Sequence, residues 1–214
     1  MSPPEADPRI IVKDGWNRAS YLYRPEGGEE DPLGHSEDYR GWLKPLFEEL
    51  PPRAKILDLG CGCGVPVAAL LSDRFEVTGV DFSEVQVERA RRLVPRAQFV
   101  LADMTEVEFP IRSFDAVVSL YALFHVPLIA QKVVLGRIRS WLRPEGSLVV
   151  ITGHDPYEGT EQDWLGSGAP MFWSTASAST YRAWLEEFGF KITTQAFVPE
   201  GTGGHELFIA RRRP

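Results

Sequence analysis

From residue 54 to residue 153, short apolar runs alternate with stretches of helical period. The runs "AKILDL" (54–59), "FEVTGVD" (75–81), "AQFVLAD" (97–103), "FDAVVSLYA" (114–122) and "SLVVITG" (147–153) read as buried strands. Between them, "VPVAALLSD" (65–73), "SEVQVERARRLV" (83–94) and "LIAQKVVLGRIRSWL" (128–142) read as helices, and "RPEG" (143–146) as a turn. Ser83 is placed to cap its helix and Pro95 to end it, while Pro66 sits near a first turn, where a missing N–H costs nothing. Strands that alternate with helices in this way lie parallel in one sheet, covered by helices on both faces.

The rhythm changes at both ends. After Gly153 the stretch "HDPYEGTEQDWLGSGAPMFWS" (154–174) has no clear period, and aperiodic loops of this length are usually functional. A helix "TYRAWLEEFGF" follows, then "KITTQAFV" and "HELFIARR", joined by the turn-rich "PEGTGG" and therefore expected to pair antiparallel. Residues 1–35 are rich in Pro, Gly and Glu, with one helix-like piece, "DGWNRASYLYR", that ends at Pro25. "EDYRGWLKPLFEEL" is a second helix, stopped by Pro51 and Pro52. The expected organisation is an N-terminal arm and helix over 1–50, acting as a lid, and an α/β domain over 51–214 with a lid loop at 154–174.

The segment "ILDLGCGCGVP" (56–66) follows the first strand, where open α/β sheets bind their ligands. A dinucleotide fingerprint would need a third glycine where Val65 or Val67 stands, and no Lys-Ser/Thr ends the loop as a P-loop requires. Cys61 and Cys63 are the only cysteines, too few for a structural zinc site and too close to pair without strain. They read as small side chains between glycines. What remains is Asp58 followed by Gly60, Gly62 and Gly64.

Composition narrows the partners. With 23 basic against 30 acidic residues, a net charge of −7, bulk nucleic-acid binding is not expected. "MSPPEADPR" lacks the basic start and apolar run of a secretory leader, and the most apolar window, from Phe114, is interrupted by Asp115, His125 and Pro127. A cytoplasmic protein without a membrane span is the expectation.

In this order and spacing, "ILDLGCGCG", "VTGVDFS", "LADM", "FDAVVSL" and "LRPEGSLVV" resemble the motifs of class I S-adenosylmethionine (SAM)-dependent methyltransferases, strongly over 54–153 and more loosely to the C-terminus. The resemblance implies a Rossmann-like, seven-stranded, mostly parallel sheet with an antiparallel last strand, helices on both faces and an N-terminal helical arm. It implies SAM as cofactor and S-adenosylhomocysteine (SAH) as product. Cofactor contacts would come from Tyr21, Asp58, Gly60, Cys61, Gly62, Gly64, Asp81, Phe82, Asp103, Met104 and Leu120, with Asp81 accepting the ribose hydroxyls and Phe82 and Met104 flanking the adenine.

Methyl transfer needs alignment, and a base wherever the acceptor must lose a proton. His125, His154 and His205 all fall at the rim where the strands end, and His125, after the fourth strand, is the first candidate for a catalytic base. No metal is expected. Trp16, Tyr121, His154, Trp164, Met171, Phe172, Trp173 and His205 are expected to form the acceptor pocket, whose aromatic character suits a flat or apolar small molecule methylated at O or N. A protein or RNA methyltransferase, or a SAM-binding protein without turnover, are the alternatives.

Overall fold

The computed structural model describes residues 7–25 and 36–214. Nine strands occur among them: β1 (Lys55–Leu59), β2 (Glu76–Asp81), β3 (Gln98–Leu101), β4 (Phe114–Ser119), β5 (Leu142–Gly153), β6 (Tyr157–Glu161), β7 (Met171–Thr175), β8 (Phe190–Glu200) and β9 (Gly203–Arg212). Seven form one sheet in the order β3-β2-β1-β4-β5-β9-β8. β1 pairs in parallel with β2 and β4, and β9 runs antiparallel to both of its neighbours. This is the expected Rossmann-like α/β architecture. Strand order reverses at β1, between β2 and β4, so the loop after β1 lies at the switch point where such sheets hold ligands.

Six α-helices lie among the described residues: α1 (Pro8–Tyr23), α2 (Ser36–Glu49), α3 (Val67–Leu71), α4 (Glu84–Leu93), α5 (Leu128–Trp141) and α6 (Ala178–Glu187). The central strand β1 alternates its core: Ile56 joins Leu43 and Leu46 of α2, while Leu57 joins Ile138 and Trp141 of α5. Continuous burial on both faces explains why these strands are apolar runs without alternation. Ser83 caps α4, its Oγ accepting from the Gln86 N–H.

Two segments differ from expectation. "RPEG" belongs to β5, which begins at Leu142; the ladder to β4 shifts register between Phe114 and Ala116, and residues 143–145 protrude into solvent. The stretch 154–174 is not an irregular loop, because β6 and β7 pair antiparallel within it as a separate two-stranded sheet. β6 is exposed on both faces, so it needs no apolar alternation and gives none.

α1 docks across this hairpin and α4. Trp164, Met171 and Phe172 of the hairpin region pack with Val12 and Ala19 of α1, and a Cβ on Gly15 would collide with Met171. On the other side Arg89 of α4, fully buried, donates to the carbonyls of Ser20, Arg24 and Pro25 and to Ser20 Oγ. Its guanidinium satisfies backbone acceptors that the end of a helix leaves open. Arg89→Met should therefore cost about 2–4 kcal/mol in chemical denaturation, because buried acceptors lose a charged donor. Hydrogen exchange is expected to accelerate along α1 and to stay unchanged in β1 and β4; equal acceleration in the sheet would show that Arg89 supports the whole domain instead.

Candidate active site

The C-terminal ends of β1, β2 and β4, the loop after β3 and the inner face of α1 enclose one cleft of about 1040 Å³, its open mouth included. Its floor is the loop after β1. Gly60 and Cys61 donate their N–H groups to the Val80 carbonyl, at 2.8 and 3.0 Å, which turns the chain sharply over the end of β2. Gly60 has φ +74°, and a Cβ there would fall on Ala122. Gly60, Gly62 and Cys61 consequently present backbone to the cleft.

Asp81 ends β2 beside this loop. Its Oδ2 accepts from the Gly62 N–H (3.0 Å) and its Oδ1 from the Ser83 N–H (2.9 Å). Each oxygen keeps a second lone-pair direction, so the carboxylate is fixed in orientation yet able to accept a pair of vicinal hydroxyls. Burial pushes Asp81 up to about 6, against the lowering effect of these N–H donors. Asp58, 2% exposed, lies nearby with Oδ2 unpartnered among the described residues. Burial first and the Asp81 charge second push it up to about 8. Phe82, Asp103 and Met104 continue the same wall. Asp103 Oδ1 accepts from both the N–H and the Oγ1 of Thr105, each at 2.7 Å.

The opposite wall comes from the chain after β4. Leu120, Tyr121 and His125 line it. Tyr121 sits at φ +56°, a strained backbone for a bulky residue. His125 lies in a single 3-10 turn, Leu123–His125, and is 7% exposed. Its Nδ1 is 3.0 Å from the Phe172 carbonyl, which can only accept, so Nδ1 carries the hydrogen and the neutral ring keeps a lone pair on Nε2. Burial pushes His125 down to about 4, with His205 adding to the effect, and the imidazole is neutral at physiological pH.

The roof is α1. Arg9, Val12, Trp16, Ser20 and Tyr23 face the cleft at helical spacing. Tyr21 falls off that face: it is 46% exposed and lies under the Arg89 guanidinium, 4.0 Å from its ring centroid. Gly64 also points away, toward Phe99 and Val94. Trp164 and Trp173 stand behind the lining in a layer of rings, Trp164 at 4.8 Å from Trp16 and Trp173 at 4.4 Å from His125. Met171 and Phe172 are buried in the same layer. His154 is not at the cleft but pairs with Glu206 (2.8 Å), and His205 stacks on Phe124 and pairs with Glu200 (2.9 Å). Sequence reading passed over Ser20 and Arg9, whose spacing emerges only once α1 is known to begin at Pro8, and also Tyr39 and Gln86.

This donor set fits SAM. An orphaned buried carboxylate oxygen suits an ammonium, a carboxylate held by two N–H groups suits a ribose diol, and a glycine floor lets a ligand lie against backbone. Among the described residues no group of three or more His, Cys, Asp or Glu is placed to hold a metal ion, and no helix is long and apolar enough to cross a membrane.

Residues 56–146 match a family model described as a methyltransferase domain. The 2-methyl-6-phytyl-1,4-hydroquinone methyltransferase of Synechocystis sp. is 39% identical over 109 residues, 49% of this chain and 33% of that protein. The chain thus spans about a third of that relative's length. Magnesium protoporphyrin IX methyltransferase from Synechocystis PCC 6803, solved with bound SAM, superposes with a TM-score of 0.74 at 18% identity, covering 99% of this chain and 100% of the other. A [4+2]-cyclase superposes equally closely, with a TM-score of 0.73 at 18% identity over 94% of each chain.

The loop geometry separates two glycines. Gly60→Ala meets both a left-handed backbone and the Ala122 side chain, whereas a Cβ on Gly62, at φ +54°, has only Gln86 Nε2 near it at 3.9 Å. Denaturant unfolding should show a loss of about 3 kcal/mol or more for Gly60→Ala and about 1 kcal/mol for Gly62→Ala. The reverse order would mean that the floor is held by something other than the close approach of Gly60 to Ala122.

Proposed function

We propose that this chain, whose residues 56–146 match a methyltransferase-domain model and whose fold superposes on a methyltransferase solved with SAM, transfers a methyl group from SAM to oxygen or nitrogen of a small, flat or apolar molecule. The observation that carries the reading is the pairing, across one cleft, of a carboxylate floor (Asp58, Asp81, Asp103) with an aromatic wall holding a neutral histidine lone pair. SAM, when bound, supplies a methyl group already activated by a sulfonium.

The chain's own residues supply placement. Asp81 would take the ribose hydroxyls, Asp58 would face the ammonium of the methionine end, and Phe82 and Met104 would flank the adenine. Trp16, Tyr121 and His125 surround the acceptor, and α1 over the cleft keeps water from the reacting atoms. His125 Nε2 receives a hydrogen bond from the acceptor's O–H or N–H and so points the heteroatom's free lone pair at the methyl carbon. With the ring held near 4, His125 is too weak a base to ionise a phenol beforehand, whose pKa is about 10. Methylation would make the hydroxyl far more acidic as the methyl–sulfur bond breaks to leave SAH, and Nε2 would take the proton late in the transfer. An oxygen acceptor is therefore the better match to this histidine.

A roof of α1 over the cleft counts against a protein or RNA acceptor, which needs an open groove. The likeness to a [4+2]-cyclase keeps a second reading in view, since the fold hosts reactions other than methyl transfer. The two are separated by incubating the protein with labelled SAM and a panel of phenols, hydroxyquinones and aromatic amines: label in an acceptor supports methyl transfer, and SAM binding without label in any acceptor favours the second. With an acceptor in hand, His125→Phe should lower kcat by about 10²–10⁴-fold while the KM for SAM stays within a few-fold. Because the lone pair persists until His125 protonates, kcat at saturation should be level from pH 9 to 5 and fall as pH approaches 4. A wild-type kcat that falls by half near pH 6.5 would mean that His125 is not held neutral.

A further inference from the structure

Asp58 closes β1 on the cleft floor, buried, with an oxygen that no described residue satisfies. The ionisable groups that share its surroundings come from every element around the floor. Cys61 and Cys63 stand in the loop that follows it, Asp81 on β2, and Tyr121 and His125 after β4. α2 contributes Tyr39, α1 contributes Arg9 and Tyr23 with Arg24 just beyond its end, and the loop after β3 contributes Asp103. The charge that acts on Asp58 is that of Asp81, of the same sign. Asp81 is tied up by the N–H groups of Gly62 and Ser83, whereas Asp58 Oδ2 has no such donor. Of the two acids, Asp58 is the one left without compensation.

We propose that Asp58 carries a proton in the ligand-free protein at neutral pH, and that seating the cationic amino-acid end of the cofactor expels it. This rests on the reading of the cleft as a SAM site. The carboxyl O–H breaks, the proton passes to solvent, and the carboxylate left behind faces the ligand's ammonium as an ion pair. Burial and the Asp81 charge hold the free carboxyl at about 8, so at pH 7 it is mostly protonated. An ammonium at contact distance supplies the opposite charge that the protein withholds. Affinity for any ligand with that ammonium then rises with pH, roughly tenfold per unit below pH 7 and levelling above 8. A ligand with adenine and ribose but no amino-acid end makes no such demand.

Titration calorimetry of the full chain at pH 7, in phosphate and in Tris, reads proton release directly from the difference in their ionisation enthalpies. SAH should release about one proton per molecule bound, and 5′-methylthioadenosine, which lacks the amino-acid end, close to none. Asp58→Asn should bind 5′-methylthioadenosine normally, which shows that the variant is folded, and bind SAH without proton release and with affinity level from pH 6 to 8. Binding of SAH with no proton released, or equal release by both ligands, overturns the proposal. Failure of both ligands to bind would overturn the cofactor reading itself, and the linkage with it.

Discussion

The Asp81 carboxylate is where the separate parts of this molecule meet. One oxygen holds the glycine loop through the Gly62 N–H and the other holds the start of α4 through the Ser83 N–H. Ser83 Oγ passes the connection on, donating to Asn17 Oδ1 of α1 while accepting from the Gln86 N–H. A single side chain at the end of β2 thus sets the floor of the cleft, the first turn of one helix and, through one hydroxyl, the seat of the roof. The arrangement is costly, since burial raises the carboxyl to about 6 despite two donors. A stability-optimised fold would place an apolar residue or a fully paired acid there. Retaining a half-compensated carboxylate makes sense where a ligand completes it.

The cleft has two chemically different halves, and the fold explains why. Asp58, Asp81 and the glycine loop lie on ends of adjacent parallel strands, whose spacing and register are fixed by the ladder: Asp58 pairs with Gly79 and Val118. Side chains set by a sheet hold position closely, which suits a ligand of constant shape. Trp16, Tyr23 and the rings behind them hang on α1 and on the β6–β7 hairpin, held by packing and by Arg89. These are the parts that can vary in side chain without disturbing the ladder.

The sequence made the first half readable and named most rings of the second, but not the helix phase and the hairpin that place them. Buried strands, a Ser83 cap and glycines with required conformations are local signals, and the motif resemblance pointed to Asp58, Asp81, Phe82, Asp103 and Met104, which all line the cleft. The phase of α1 is also local, but it depends on where the helix starts; beginning it at Pro8 puts Ser20 and Tyr23 on the cleft and Tyr21 outside. The partners of His154 and His205 are a different matter. Glu206 lies 52 residues from His154, and only the antiparallel register of β5 with β9 brings them together. The hairpin at 154–174 escaped because β6 is solvated on both sides and so has no burial pattern to impose.

His125 links the two halves. Its Nδ1 hydrogen goes to the Phe172 carbonyl on β7, so the tautomer presented to the cleft is set by the hairpin, not by the sheet. Gln131 reinforces this from α5, donating to the carbonyls of Val126 and Ser174, and accepting from Tyr181. The element that supplies the aromatic layer behind the cleft therefore also orients the His125 ring. A change in the hairpin that suits a different acceptor would alter the histidine at the same time. Ring packing at the hairpin and the tautomer of His125 are thus one structural variable, because the same strand supplies both.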